Sequence, residues 1–175
     1  MSDFLKKFRT VKTFIFDVDG VLTHGDLLVM NTGELLRTMS IRDGYVLKLL
    51  CTKNEYNVAI ITGGKSEGVA IRLKNLGIKN VFTNVTSKIE IFKKYILENK
   101  IDPLTTLYMG DDIPDYEVMC EVGIPTCPKD ACKEIKDKSV YISSRNGGEG
   151  CVRDVIEQVL KCQEKWMENN DIEPI

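Results

Sequence analysis

Several short apolar runs in this sequence end in residues whose side chains can do chemistry. Two carboxylates, Asp17 and Asp19, follow the first run, and Thr62 and Gly63 follow a later one. The complete set is Asp17, Asp19, Thr62, Gly63, Lys88, Asp111, Asp112 and Asp115. A carboxylate can act as a nucleophile or a proton donor, and a lysine, a hydroxyl and glycine amides can hold a phosphate. This combination predicts transfer of a phosphoryl group.

The acidic residues of this set predict a bound cation. Two unit charges about 4 Å apart repel by about 4 kcal/mol at an effective dielectric of about 20, so clustered carboxylates need a counter-charge. Oxygen ligands favour a hard divalent ion, and Mg²⁺ usually keeps some waters and shares phosphate oxygens with the substrate. We therefore expect Mg²⁺ as the cofactor.

Alternating strands and helices position these residues. Short β-branched or aromatic runs predict strands over 11–16, 58–61, 81–83, 106–109 and 140–142. Amphipathic stretches predict helices over 44–53, 66–76, 87–99, 114–122 and 152–165. This order is typical of an α/β fold, a Rossmann-like three-layer sandwich with a mainly parallel sheet. Ligands of such sheets bind beyond the carboxyl ends of the strands, where the reactive set falls.

One segment departs from this alternation. Residues 27–37 predict a β-hairpin that turns at Asn31-Thr32-Gly33, directly after the first strand. The predicted hairpin and the helix after it account for most residues between Asp19 and Thr62. Too little chain remains there for a cap domain, so we expect a hairpin flap and no cap domain. An open site and an apolar hairpin favour a homo-oligomer in which a neighbouring subunit covers the site.

Composition limits the classes of function. The 175 residues carry a formal net charge of −2, so no basic field is available for nucleic acid or an acidic membrane. The N-terminus lacks the apolar core of a signal peptide, and the six cysteines predict reduced thiols, so we expect a cytoplasmic enzyme. The expected domains are an extension over 1–10, the phosphatase domain over 11–165 and a tail over 166–175.

The reactive segments resemble the four motifs of the haloacid dehalogenase superfamily. The resemblance implies that Asp17 is the nucleophile of a phosphate monoester hydrolase and that Asp19 is its general acid and base. Mg²⁺ would be bound by Asp17, the backbone carbonyl of Asp19, and Asp111. Thr62, Gly63 and Lys88 would hold the phosphoryl group. Asp112 and Asp115 would orient Lys88 or metal-bound waters.

Further segments narrow the resemblance. Residues 30–34, 41–45 and 146–154 are similar to the 3-deoxy-D-manno-octulosonate 8-phosphate phosphatases, whose known members are tetramers with shared active sites. The resemblance implies a sugar-acid phosphate substrate, a role in lipopolysaccharide biosynthesis, and contacts to the sugar carboxylate from Arg72, Arg145, Gly147 and Gly148. Gly64 stands where this group usually has Arg and the related 2-keto-3-deoxy-nononate 9-phosphate phosphatases have Glu.

Three questions remain open at this stage: the identity of the substrate, whether the domain is catalytic, and the roles of one histidine and two cysteines. The substrate is octulosonate 8-phosphate or nononate 9-phosphate, because Gly64 has no side chain to distinguish them. A non-catalytic domain or a phosphoacceptor domain of similar fold would also place acids, Thr and Lys at strand ends. The role of His24 and the redox state of Cys127 and Cys132 are not determined by the sequence.

Overall fold

A parallel sheet organises residues 3–167, which the computed structural model describes. In chain order the elements are α1 (Asp3–Thr10), β1 (Thr13–Phe16), β2 (Leu28–Val29), β3 (Leu35–Leu36), α2 (Ile41–Lys53), β4 (Asn57–Ile61), α3 (Glu67–Asn75), β5 (Asn80–Phe82), α4 (Lys88–Asn99), β6 (Thr106–Met109), α5 (Tyr116–Glu121), β7 (Ile124–Cys127), α6 (Lys133–Lys138), β8 (Tyr141–Ile142) and α7 (Cys151–Cys162). Within these residues, no helix is long and apolar enough to cross a bilayer.

The main sheet has six strands in the order β5-β4-β1-β6-β7-β8, and every pair of neighbours is parallel. β1 lies at the centre, with Phe14 opposite Val58 of β4 on one side and Leu107 of β6 on the other. The strands therefore end at a common edge, where the chain after β1 lies between the chains after β4 and β6.

Strand alternation divides the core into two layers. Phe14 and Phe16 of β1 pack with helices α1, α2, α3 and α7, whereas Ile15 between them packs with α4, α5 and α6. β6 repeats the pattern, since Tyr108 faces the layer opposite to that of its neighbours. Both faces of a parallel sheet are covered in this way. The α/β three-layer sandwich predicted from the sequence is confirmed.

Serine residues precede three of the helices. The Ser40 and Ser66 hydroxyls accept hydrogen bonds from Asp43 N and Val69 N at 3.3 and 3.4 Å, which satisfies backbone donors of α2 and α3. The sequence predicts that α2 begins at Gly44, but the Ser40 cap starts it at Ile41. Ser87 precedes α4 as predicted, without a side-chain capping bond.

The predicted hairpin is present as β2 and β3, a two-stranded antiparallel sheet separate from the main one. Met30 N donates to Glu34 O at 2.9 Å, and Gly33 N donates to Met30 O at 2.9 Å, so the chain turns where the sequence predicts. Its apolar side chains face solvent, with Leu28 and Val29 exposed by 63% and 67%.

Two short elements were not predicted. β7 contains Pro125, which cannot donate to a sheet ladder and argues against a strand in sequence reasoning. In the structure the Pro125 carbonyl still accepts from Val140 N at 2.9 Å, and the strand is fully buried. α6 was missed because Ile135 is its only buried residue, which gives no apolar periodicity.

The N-terminal segment differs from the expected extension. Residues 3–10 form α1, and Phe8 is fully buried in the core with its ring 5.4 Å from that of Phe4. The described part of this segment therefore belongs to the packed domain. Most of the predicted tail, residues 168–175, lies outside the described residues. Trp166, the first residue of the predicted tail, packs against the core.

A buried acid joins α2 to α7. Gly150, at the start of α7, offers no side chain as a cap, and Asp43 Oδ1 accepts from Arg153 N at 2.7 Å instead. Asp43 is 1% exposed, and its Oδ2 has no hydrogen-bond partner among the described residues. Burial raises the pKa of Asp43 to about 6, because the charged form is poorly solvated.

We predict that Asp43→Asn makes the folding free energy less dependent on pH. The raised pKa means that the folded state binds the proton more tightly, so wild-type stability falls as pH rises from about 4 through about 6. The loss is about 3 kcal/mol once Asp43 is fully ionised, at about 1.4 kcal/mol per pKa unit. The amide of the variant cannot ionise, so its curve should be flatter in urea denaturation at pH 4 to 7. Exposed Asp26→Asn is the control, and identical curves for wild type and Asp43→Asn would contradict the prediction.

Candidate active site at the carboxyl edge of the sheet

The three central strands bring the predicted residues to one edge. Asp17 follows β1, Thr62 follows β4 and Asp111 follows β6, and these strands are neighbours in the sheet. Asp17 N donates to Met109 O at 3.1 Å, which continues the β1–β6 pairing up to Asp17. Lys88 is the first residue of α4, the helix that returns after β5.

A buried lysine bridges two buried carboxylates at this edge. Lys88 Nζ lies 2.7 Å from Asp17 Oδ2 and 2.7 Å from Asp115 Oδ1. The exposed fractions are 9% for Lys88, 5% for Asp17 and 1% for Asp115. Val18 N donates to Asp17 Oδ1 at 2.7 Å, so hydrogen bonds hold both oxygens of Asp17. The carboxylate predicted to be the nucleophile is therefore fixed in orientation.

Tyr108 fixes the second carboxylate. Its hydroxyl donates to Asp115 Oδ1 at 2.5 Å, and Asp111 N donates to Asp115 Oδ2 at 3.2 Å. Burial and the nearby carboxylates raise the pKa of Tyr108 well above its usual range, so the hydroxyl stays a donor. Sequence reasoning did not identify Tyr108. The signal was a tyrosine inside a buried strand, since a buried hydroxyl normally needs a partner.

The acidic residues form a group suited to a cation. Oxygen atoms of Asp17, Asp111 and Asp115 lie within 4.8 Å of one another. Burial raises the pKa of Asp17 and of Asp111 to about 7, and neighbouring carboxylates add to both shifts. Lys88 is a single positive charge among three acids, so a divalent cation would supply the missing counter-charge.

Gly20 allows Asp111 to approach the loop after β1. An added Cβ at Gly20 would lie 2.0 Å from Asp111 Oδ2, and Gly20 has a φ of +82°, which favours glycine. Asp115 accepts hydrogen bonds from Lys88, Tyr108 and Asp111 N, whereas Asp17 makes two such contacts, so Asp17 and Asp111 keep more lone pairs for a metal. The predicted ligand at Asp19 is its backbone carbonyl, and it stays a prediction.

Asp19 is held by an arginine of the hairpin segment. Arg37, just after β3, donates from Nε to Asp19 Oδ1 at 2.6 Å and from Nη2 to Asp19 Oδ2 at 3.0 Å. This bidentate bond raises the pKa of Arg37. Arg37 was not predicted from the sequence, because residues 17–20 and the hairpin carry no common pattern that indicates their contact.

The loop after β4 contains Thr62, Gly63 and Gly64. Thr62 is buried, and its oxygen accepts from Gly64 N at 3.0 Å, which leaves its own proton free to be donated. Gly63 and Lys88 line one cleft of about 840 Å³. The three residues predicted to hold a phosphoryl group are therefore at one edge, and that role stays a prediction.

The predicted substrate residues fall in different places. Arg72 lines a cavity of about 840 Å³ beside the hairpin, which Arg37 also lines. Arg145 lines a smaller cavity of about 430 Å³ together with Arg42 and Arg153. The cavities that Arg72 and Arg145 line here are therefore different ones.

Gly147 and Gly148 pack against the loop that follows Asp19. Gly148 N donates to Val21 O at 2.9 Å, and an added Cβ at Gly147 would lie 1.9 Å from Gly20 O. The pair therefore supports the loop, and direct contact with a substrate stays a prediction. Exposed His24 lies in this loop, with Nε2 3.7 Å from Glu149 Oε1.

Comparisons with known proteins agree with this architecture. No family model matches the chain. The 3-deoxy-D-manno-octulosonate 8-phosphate phosphatase KdsC of Yersinia pestis is 32% identical over 164 residues, 94% of this chain and 87% of that protein. A Moraxella catarrhalis structure of the same phosphatase, in complex with magnesium ion, phosphate ion and KDO, superposes with a TM-score of 0.89 at 30% identity, covering 95% of each chain.

A Legionella pneumophila structure described as a HAD superfamily subfamily III A hydrolase gives a TM-score of 0.88 at 31% identity, covering 92% of this chain and 88% of that one. A central β1 that ends in Asp17 and Asp19, with Lys88 and Asp111 beside them, defines a haloacid dehalogenase superfamily fold. Within that superfamily, the chain belongs to the 3-deoxy-D-manno-octulosonate 8-phosphate phosphatase family.

We predict that Asp111→Asn weakens binding of Mg²⁺ by about tenfold or more, because one of two carboxylates that face the cation site loses its charge. Isothermal titration of Mg²⁺ at pH 8, above the raised pKa of Asp111, measures this effect. Glu98→Gln, on the exposed surface near the end of α4, is the matched control and should bind as wild type does. Equal affinity of wild type and Asp111→Asn would exclude Asp111 as a ligand.

Proposed function

We propose that this chain is a Mg²⁺-dependent phosphatase that hydrolyses 3-deoxy-D-manno-octulosonate 8-phosphate, a step in the synthesis of lipopolysaccharide precursors. The observation that carries the proposal is the buried contact of Lys88 with Asp17 and Asp115, at a sheet edge that also carries Asp111. Membership of the family supports the substrate.

Asp17 attacks phosphorus in the first step. Lys88 lies 2.7 Å from the Asp17 carboxylate and supplies positive charge where the phosphoryl oxygens gather. Thr62 donates its hydroxyl hydrogen, and the amides of the following glycines can approach the phosphate closely. Mg²⁺ bound by Asp17 and Asp111 would offset the charge of the phosphate and the nucleophile.

Asp19 donates a proton in the first step and accepts one in the second. The bond from phosphorus to the sugar oxygen breaks as the bond to Asp17 forms, and the leaving oxygen takes a proton from Asp19. Asp19 then removes a proton from the water that attacks the aspartyl-phosphate. The products are inorganic phosphate and the free sugar acid, and Asp17 returns to its starting form.

We predict that Asp17→Asn lowers phosphate release by on the order of 1,000-fold or more, because an amide is a poor nucleophile. The assay compares octulosonate 8-phosphate, nononate 9-phosphate, nucleotides and simple sugar phosphates, with and without Mg²⁺. Octulosonate 8-phosphate should give the highest kcat/KM, and EDTA should abolish turnover. Circular dichroism checks that the variant is folded, and exposed Asp26→Asn is the active control.

Three other outcomes of this assay would change the proposed activity, substrate or nucleophile. If no monoester is hydrolysed with Mg²⁺ present, the chain is not a phosphatase. Preference for nononate 9-phosphate would select the alternative sugar acid. Retained activity in Asp17→Asn would mean that another residue is the nucleophile.

The proposal includes a homotetramer with shared active sites. The support is the hairpin, where the apolar side chains of Leu28, Val29 and Leu36 are exposed on a two-stranded sheet outside the core. Such a surface is a liability in a monomer and is suited to pairing with further copies.

We predict that Leu28→Asp dissociates the oligomer, since a charge would be buried between subunits. Light scattering after size exclusion should show a smaller mass than for wild type. Leu97→Asp is the matched control, because Leu97 is 81% exposed on α4, away from the hairpin, and should leave the mass unchanged. A wild-type monomer would contradict the shared-site proposal.

The proposed location is the cytoplasm. All six cysteines lie in the described part of the chain, and each is free, including Cys127 and Cys132. Burial raises the pKa of the Cys127 and Cys151 thiols, so both stay protonated and unreactive. Free thiols in this number support a reducing compartment.

A further inference from the structure

The Asp19–Arg37 contact engages both oxygens of the carboxylate. Arg37 donates from Nε and Nη2, one bond to each carboxylate oxygen of Asp19. The Arg37 side chain is only 5% exposed, whereas that of Asp19 is 34% exposed. The arginine is therefore packed in place at the base of the hairpin, and the carboxylate lies on the open side of the pair.

This arrangement conflicts with the role proposed for Asp19, on which the present inference rests. A general acid must turn an oxygen toward the leaving group, within hydrogen-bond reach. Both oxygens of Asp19 accept bonds from Arg37, so turning the carboxylate toward the leaving group breaks at least one of these bonds. Because the pair is partly exposed to water, it is worth far less than a fully buried one, and another anion can compete for Arg37.

The residues around the Asp19–Arg37 pair indicate what kind of anion would displace Asp19 from Arg37. An added Cβ at Gly64 would lie 2.8 Å from Asp19 Oδ2 and 3.1 Å from Arg37 Nη2, so a larger residue there would press on the contact. Arg37 also lines the cavity of about 840 Å³ beside the hairpin, together with Lys65 and Arg72. A cavity of this size admits a sugar acid.

The guanidinium of Arg37 is complementary to the carboxylate of the proposed substrate, which lies at the opposite end from the phosphate. A guanidinium that already binds one carboxylate in bidentate fashion is suited to bind another in the same way. The cavity wall carries three cations, Arg37, Lys65 and Arg72, against two acids, Glu34 and Glu67, which favours an anionic occupant.

We propose that Arg37 recognises the carboxylate of the sugar-acid substrate, and that this carboxylate replaces Asp19 on the guanidinium. The exchange frees Asp19 to face the leaving oxygen. A phosphate ester without a carboxylate leaves Asp19 bound to Arg37 and is hydrolysed slowly. Selectivity for sugar-acid phosphates thus comes from the release of Asp19 as general acid as well as from binding of the substrate carboxylate.

The test compares two substrates in Arg37→Gln. The variant should lower kcat/KM for octulosonate 8-phosphate by about 30- to 100-fold, the effect of losing a bidentate charged contact. For a pentose 5-phosphate, which has an alkyl leaving group and no carboxylate, kcat/KM should be unchanged or should rise, because Asp19 is no longer held. Arg37→Lys keeps the positive charge but cannot donate two parallel hydrogen bonds, and it should recover part of the kcat/KM lost for octulosonate 8-phosphate.

Lys74→Gln is the matched control, because it removes an exposed positive charge from α3 at a position outside the cavity lining and without touching Asp19. It should change kcat/KM for either substrate by less than about threefold. Equal losses for both substrates in Arg37→Gln would mean that Arg37 only positions Asp19. No loss for octulosonate 8-phosphate would mean that the carboxylate binds elsewhere. Either result overturns the proposal.

A binding experiment separates this proposal from the proposed function. The phosphate-free octulosonate is titrated calorimetrically into wild type and Arg37→Gln. Binding to wild type that is at least tenfold weaker in the variant supports Arg37 as the carboxylate site even if turnover favours another ester. Absence of binding to wild type, or equal binding to both, contradicts it. Melting temperatures of all variants check that the hairpin remains folded.

Discussion

Lys88 lies between two buried carboxylates, and the requirement to balance those charges shapes the site around it. A buried charge is tolerated only when it is paired and hydrogen-bonded. Lys88 compensates Asp17 and Asp115 in part, Tyr108 donates to Asp115, and Val18 N donates to Asp17. The negative charge that remains raises the pKa of Asp17 and Asp111 to about 7. The site is therefore organised in advance for a divalent cation.

The hairpin links the chemistry to an exposed apolar surface. Arg37 leaves β3 and reaches Asp19, while Leu28 and Val29 on the same hairpin are exposed. Any neighbour that packs on those side chains also restrains the segment that holds Arg37. The hairpin thus carries both the exposed apolar side chains and a contact to the proposed general acid.

The sequence predicted the layers and the main site residues because both follow from local patterns. Strand alternation identified β1, β4 and β6, and polar residues at their ends identified Asp17, Thr62 and Asp111. What it missed depends on tertiary contacts. Arg37 meets Asp19 across the hairpin, Tyr108 shows its role only once Asp115 is beside it, and β7 carries a proline that its neighbours tolerate. Phe8 likewise becomes core only through contact with distant helices.

The loop after β1 is held by the far end of the chain. Gly148 N and Cys151 Sγ both donate to Val21 O, and the second of these contacts spans 130 residues of sequence. The loop that carries Asp19 therefore takes its shape only after the chain has closed a contact over 130 residues of sequence. Its order depends on folding of the whole domain rather than on its own local sequence, and a change near the start of α7 can disturb carboxylates that lie far from it in the sequence.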